Sequence, residues 1–225
     1  MRLWRHSARR ASPQPYVAAR QSDFTPSTRC LLHGKHTHTH DSPLDLHTGA
    51  ATGAADELYE LVRTRRPSQW QDSERARVDE LVEAVVSQNA PWPRTGLFGK
   101  WRLAYLQPGP NGEGVDRRVP FPEFGFNEQY QIFSSGRVTN VGEVLGPAVR
   151  VEVKGGLEEL DSSVTRSPKR FRALIDDGAL CAGSACAPLP ISGEGLFDGV
   201  YLDDRLRIGQ NLNGGGARIV QVRVE

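Results

Sequence analysis

The spacing of apolar residues changes near residue 97, from helical to alternating. Before that point Leu58, Leu61 and Val62 fall at helical spacing within Asp56–Arg66. Asp56 stands where a cap belongs, and Pro67 where a helix stops. From about Asp72 to Asn89, Val78, Leu81, Val82 and Val85 repeat at i, i+3, i+4 and i+7, forming one apolar stripe with charges opposite. Pro91 and Pro93 end that second helix. Two helices with one apolar side each need a larger partner.

The rest of the chain supplies it. Trp101, Leu103 and Tyr105 alternate with Arg102, Ala104 and Leu106, which is strand periodicity. Asn127–Phe133 and Arg137–Leu145 read as strands joined by the hairpin Ser134-Ser135-Gly136. Ala148–Lys154 alternates again, Gly155-Gly156 reads as a turn, and Leu157–Ser163 is a weaker strand. Lys169–Ile175, Leu196–Leu202, Arg205–Gly209 and Arg218–Val224 follow, the last after the flexible turn Asn213-Gly214-Gly215-Gly216. About eight or nine strands with no helical pattern between them predict a mainly β fold. The expected architecture is an antiparallel meander barrel of about eight strands preceded by two α-helices, large enough to enclose one small ligand.

Composition divides the chain near residue 54. The whole chain of 225 residues is nearly neutral at +1 and 38% apolar. Residues 1–54 carry seven basic side chains, three acidic ones and all six histidines, while the remainder carries 21 basic and 24 acidic. Residues 1–54 are therefore read as a transit peptide and His-rich linker, and 55–225 as the folded domain. Met1–Ser22 holds five arginines and no acid, with serine and alanine between them, as organellar targeting peptides do. It lacks the apolar stretch of a secretory signal, and no segment approaches the ~18 apolar residues of a membrane span. Balanced charge gives no pull toward nucleic acid. His36, His38 and His40 alternate like soft metal ligands. With no acid or cysteine fixed beside them they read as a low-complexity tract, and no metal site is expected.

The folded part contains no histidine, so Ser-His and Cys-His nucleophile pairs cannot form within it. It also lacks a phosphate loop, a dinucleotide glycine fingerprint and a Gly-x-Ser-x-Gly elbow. Asp203 and Asp204 are acids in reach of each other, but their place between two strands reads as a hairpin turn. The expectation is a protein without catalysis or cofactor. Cys181 and Cys186 read as two free thiols in a loop or as a redox disulfide, Cys30 belongs to the leader, and Glu158, Glu159 and Asp161 read as a solvated edge. Pro108–Gly125 is rich in Pro and Gly and leads into Phe126, so Phe121, Phe124 and Phe126 form a candidate lipid-contact loop over the barrel mouth.

Gly99-Lys100-Trp101 after a helix is similar to the Gly-x-Trp opening of lipocalins. Leu97–Tyr105, preceded by a helix ending in Asn89-Ala90-Pro91, resembles the plastid lipid-associated proteins, also called fibrillins or plastoglobulins. So does Gly199-Val200-Tyr201-Leu202-Asp203-Asp204-Arg205-Leu206-Arg207-Ile208-Gly209. The resemblance covers roughly residues 56–225, its two ends carrying nearly all of it. Gln210-Asn211 depart from the usual basic-glycine pair, and Asp176–Pro190 looks like an insertion. The resemblance implies a lipocalin-like fold in plastids: stroma, plastoglobule or thylakoid surface. It implies apolar lipid or isoprenoid ligands, such as carotenoids and prenylquinones, and for some members a biosynthetic enzyme as partner. It also implies that Trp101 plugs one barrel end under a late-strand arginine, Arg207, with Arg223 as the competing candidate. Trp101, Leu103, Tyr105, Tyr201, Leu206 and Ile208 are the expected cavity or mouth residues.

Overall fold

A computed structural model of the chain describes residues 48–93, 96–110, 126–213 and 215–224, with side chains from residue 53 onward. The arginine-rich leader, the histidine tract, Cys30, Phe121 and Phe124 lie outside the described residues. Helix α1 spans Thr48–Val62 and α2 spans Asp72–Val86, with a short 3-10 turn at Pro67–Gln69 between them. The second helix matches its apolar stripe, and Val78, Leu81, Val82 and Val85 are buried. The first helix begins earlier than Asp56, because Ala50, Ala51, Ala54 and Ala55 are strong helix formers. Asp56 is therefore not a cap. It sits inside the helix and pairs with Arg205.

Among the described residues nine strands follow: β1 Gly99–Gln107, β2 Glu128–Ser134, β3 Arg137–Glu143, β4 Val149–Glu159, β5 Lys169–Ala182, β6 Ala185–Pro188, β7 Gly193–Leu202, β8 Leu206–Asn211 and β9 Arg218–Val224. Each pairs with its neighbour antiparallel, in the order β4-β3-β2-β1-β9-β8-β7-β5. Pairing of β4 with β5, from Val149 opposite Ala182 to Glu159 opposite Phe171, closes the circle. The fold is thus a closed, eight-stranded antiparallel barrel preceded by two helices, with β6 attached outside the closure along β5.

Four expectations change. Gly155-Gly156 does not turn the chain, and the two segments around it form the single strand β4. Glycine is needed at 155 for close approach, since a Cβ there would lie 2.2 Å from the Leu174 carbonyl oxygen of β5. Asp176–Pro190 is not a separate loop either. Most of it extends β5 and turns back as β6, with Cys181 opposite Cys186. Those two cysteines form a disulfide across the hairpin, so they are not free thiols. Glu158 and Glu159 are exposed, as expected, but on the closing seam rather than at an edge, where Glu158 pairs with Arg172 at 2.5 Å and Glu159 with Lys169 at 2.7 Å.

The helices lie against the outer wall of the barrel. Leu58, Val62, Val78, Val82 and Val85 pack with Trp70 onto Tyr105, Leu206, Ile208, Val220 and Val222. Trp70 donates its indole N–H to the Ala104 carbonyl at 2.9 Å. Arg102 donates to the Arg63 and Arg65 carbonyls at 2.6 and 2.7 Å, tying the end of α1 to β1 where helix carbonyls lack partners. Arg77 of α2 meets Glu57 of α1 at 2.6 Å. A second core closes one end from within, built from Trp101, Phe133, Val138, Phe171, Leu97 and Leu202. Leu58 is fully buried at the helix–barrel contact, so Leu58→Ala should cost about 2–5 kcal/mol in urea unfolding, with α1 losing its grip on the wall.

Candidate functional site

Above the aromatic end core the barrel is hollow. A partly enclosed cavity of about 450 Å³ is bounded by β1–β5, β8, β9 and the approach to β7. Its apolar wall includes Leu103, Leu106, Val151, Val153, Ile175, Ile191 and Ile219. Its polar wall consists of amides: Gln129, Gln131, Asn140, Asn211 and Gln221. Tyr130 is the one ionisable residue among the lining side chains, and burial raises its pKa. Phe126 closes over Gly142, where a Cβ would come within 2.5 Å of its ring, so that glycine makes room for an aromatic at the rim. Ile191 reaches the rim from the chain after β6 and packs against Gly178.

The expected site residues divide between the two faces of the sheet. Leu103 lines the cavity and Trp101 lies in the end core beneath it. Tyr105, Tyr201, Leu206 and Ile208 lie elsewhere, on the outer face under the helices. That corrects their reading as cavity residues. On β1 and β7–β9 the face rich in large apolar residues meets α1 and α2, leaving the opposite face to the interior. The Tyr105 hydroxyl donates to Asp79 at 2.8 Å, and the Tyr201 hydroxyl to Asp203 at 2.9 Å. Burial and those neighbouring acids raise both phenol pKa values. Phe126 is at the cavity rim.

The two candidate arginines also separate. Trp101 is fully buried and donates Nε1–H to the Leu97 carbonyl at 2.9 Å. The guanidinium over its ring is that of Arg223, at 4.3 Å. Arg223 is held by the carbonyls of Phe98 and Asp204 at 2.8 and 2.6 Å. Arg207, the expected cover, instead stands over Phe133 at 4.6 Å and Phe197 at 5.3 Å. Strand register explains the exchange: Trp101 is opposite Arg223 on β9, whereas Arg207 is opposite Gln221.

Arg207 is 2% exposed inside the barrel. Its Nη1 donates to Gln131 Oε1 at 2.6 Å and to Gln221 Oε1. Its Nε is buried with no hydrogen-bond partner among the described residues. No acid pairs with it among the described residues. An ion taken out of water costs several kcal/mol. Two charge-assisted hydrogen bonds and two aromatic faces offset part of that. Burial pushes its pKa down to about 9, so it is still a cation at neutral pH. Gln131 also donates from Nε2 to Asn140 Oδ1 at 2.9 Å, linking the cation to the cavity's amide wall.

The amides were not singled out from the sequence, although Gln129 and Gln131 share the parity of Phe133, and Gln221 that of Ile219. Asp203 is engaged in the β7–β8 turn, where Oδ1 accepts from the backbone N–H of Arg205 and Leu206 at 2.7 and 2.6 Å. Among the described residues no group of three or more His, Cys, Asp or Glu is placed to hold a metal ion. Among them, too, no helix is long and apolar enough to cross a membrane.

Comparison with protein-family models, with curated proteins and with solved structures finds no match.

The Arg207 network gives a thermodynamic test. Gln221→Leu removes one acceptor from a buried cation and should cost about 1–3 kcal/mol in denaturant unfolding. With Arg207→Met added, the Gln221→Leu penalty should shrink in a double-mutant cycle, because no charge then remains to be satisfied.

Proposed function

We propose that this chain binds an apolar lipid or isoprenoid inside its barrel and does not transform it. The observation that carries this reading is the hollow of about 450 Å³ walled by Leu, Val and Ile. Small-molecule sites run from roughly 300 to 1,000 Å³ and are mostly apolar with a few convergent polar groups. The driving force is removal of apolar ligand surface from water, about 25 cal/mol per Å². The motifs at Leu97–Tyr105 and Gly199–Gly209 resemble the plastid lipid-associated proteins. Under that resemblance the ligand is a carotenoid, prenylquinone or related lipid, met at a plastoglobule or thylakoid surface after import and removal of the leader.

A second reading is an adaptor for a plastid biosynthetic enzyme. It draws on β6, whose four residues are all exposed on a strand outside the closed barrel. Such an edge offers unpaired backbone groups to another chain.

Two measurements separate these readings. Mass spectrometry of the organic extract of full-length protein purified from its native organelle should show an apolar lipid or isoprenoid near one per chain. An empty extract together with tight capture of one enzyme would favour the adaptor. Val153→Trp, which fills the hollow from β4, should lower uptake of a prenylquinone at least about tenfold while the protein still melts cooperatively. Leu206→Trp should instead lower stability, since it overpacks the contact under the helices.

A further inference from the structure

The interior holds an uncompensated positive end. The lining of the hollow contains no Asp, Glu, Lys, Arg or His. Directly behind two of its lining residues, Gln131 and Gln221, sits the buried guanidinium of Arg207. Arg223, also at this end, is bound to backbone carbonyls over Trp101 and adds to the positive potential. Nearby acids are engaged elsewhere: Asp198 with Arg170 at 2.8 Å, Glu128 with Arg66, and Asp203 with the β7–β8 turn. An apolar ligand of any kind would need only the greasy wall. It gives no reason to keep a cation at the base, where aromatic packing alone would close the barrel at lower cost.

We propose that the ligand is an amphiphile with a carboxylate head group, seated head-down at the Gln131–Gln221–Arg207 end. This rests on the reading of the barrel as a lipid-binding cavity and narrows the lipid to one with an anionic head, in place of an uncharged carotenoid or prenylquinone. The apolar chain runs along Leu103, Val151 and Ile219 toward Ile191 and Phe126 at the rim. The carboxylate accepts hydrogen bonds from the glutamine amides. With one glutamine rotated aside, it also accepts directly from the guanidinium, whose planar fork matches a carboxylate. Arg207 Nε, without a partner among the described residues, is a donor left over for that exchange.

The test uses the full-length chain and the intrinsically fluorescent probes cis-parinaric acid and its methyl ester, matched in chain and differing in charge. The acid should bind about tenfold or more tightly than the ester. Arg207→Met should collapse that preference, and Arg207→Lys, which keeps the charge, should retain part of it. Equal affinity of the unaltered protein for acid and ester would overturn the head-group assignment while leaving the cavity reading standing. So would a preference that survives Arg207→Met. Binding of neither probe would remove the cavity reading itself, and this inference with it. The comparison of acid with ester on the unaltered protein decides the matter even if Arg207→Met fails to fold.

Discussion

Closure of β4 on β5 is the constraint from which the other features follow. An open eight-stranded sheet would leave two unpaired edges and could not hold a hollow. The seam forms because Gly155 lets the two backbones approach and because Glu158–Arg172 and Glu159–Lys169 span it, the first at the surface and the second with its lysine buried. The exposed Glu158–Arg172 pair contributes little energy by itself and serves mainly to suit the seam to its register. Once the circle is closed, every strand has one face inside and one outside, and each must be matched to its surroundings.

The two faces are matched differently around the circumference. Along β1 and β7–β9 the outer face is buried under α1 and α2, so it carries Tyr105, Leu206, Ile208, Val220 and Val222. The inner face there is left with a mixture that includes Arg207 and Gln221. Along β4 and β5 no helix among the described residues covers the outside, and the inner face carries Val151, Val153 and Ile175. The interior is consequently graded. It has an aromatic base, then a layer of amides with one guanidinium, then an aliphatic shaft. That gradient gives the cavity a polar end and an apolar end.

The chain beyond the β5–β6 hairpin adds to the rim, while the β5 half of the hairpin belongs to the closing seam. The hairpin's disulfide joins directly opposed residues, and Ile191 beyond it folds back over Gly178 to reach the cavity. A segment that looks like an insertion in sequence thus contributes to the rim of the cavity through Ile191. Phe126, just before β2, also lines the cavity, over Gly142 of β3.

How much was legible follows from what periodicity can encode. The stripe at Val78, Leu81, Val82 and Val85, the alternation of β1, β8 and β9 and the turn at Asp203 are local patterns, and each is found where the spacing put it, whereas Leu157–Ser163 is no separate strand and β5 runs on to Ala182. A run of eight or nine strands with no helix between them pointed to an antiparallel all-β fold, and closure into a barrel is one way such a sheet removes its edges. Alternation states that a strand has two faces but not which one turns inward. That depends on what covers the other face, and the helices covering Leu206 and Ile208 are more than a hundred residues away in the chain. For the same reason only the register of β1, β8 and β9 could decide that Arg223, not Arg207, lies over Trp101. Gly155 looked like a turn because a glycine required by a neighbouring strand has the same letter as one required by a bend. Sequence alone determined most of the elements and the antiparallel β class of fold, whereas the buried cation and the amides around it exist as a site only through pairing between distant strands.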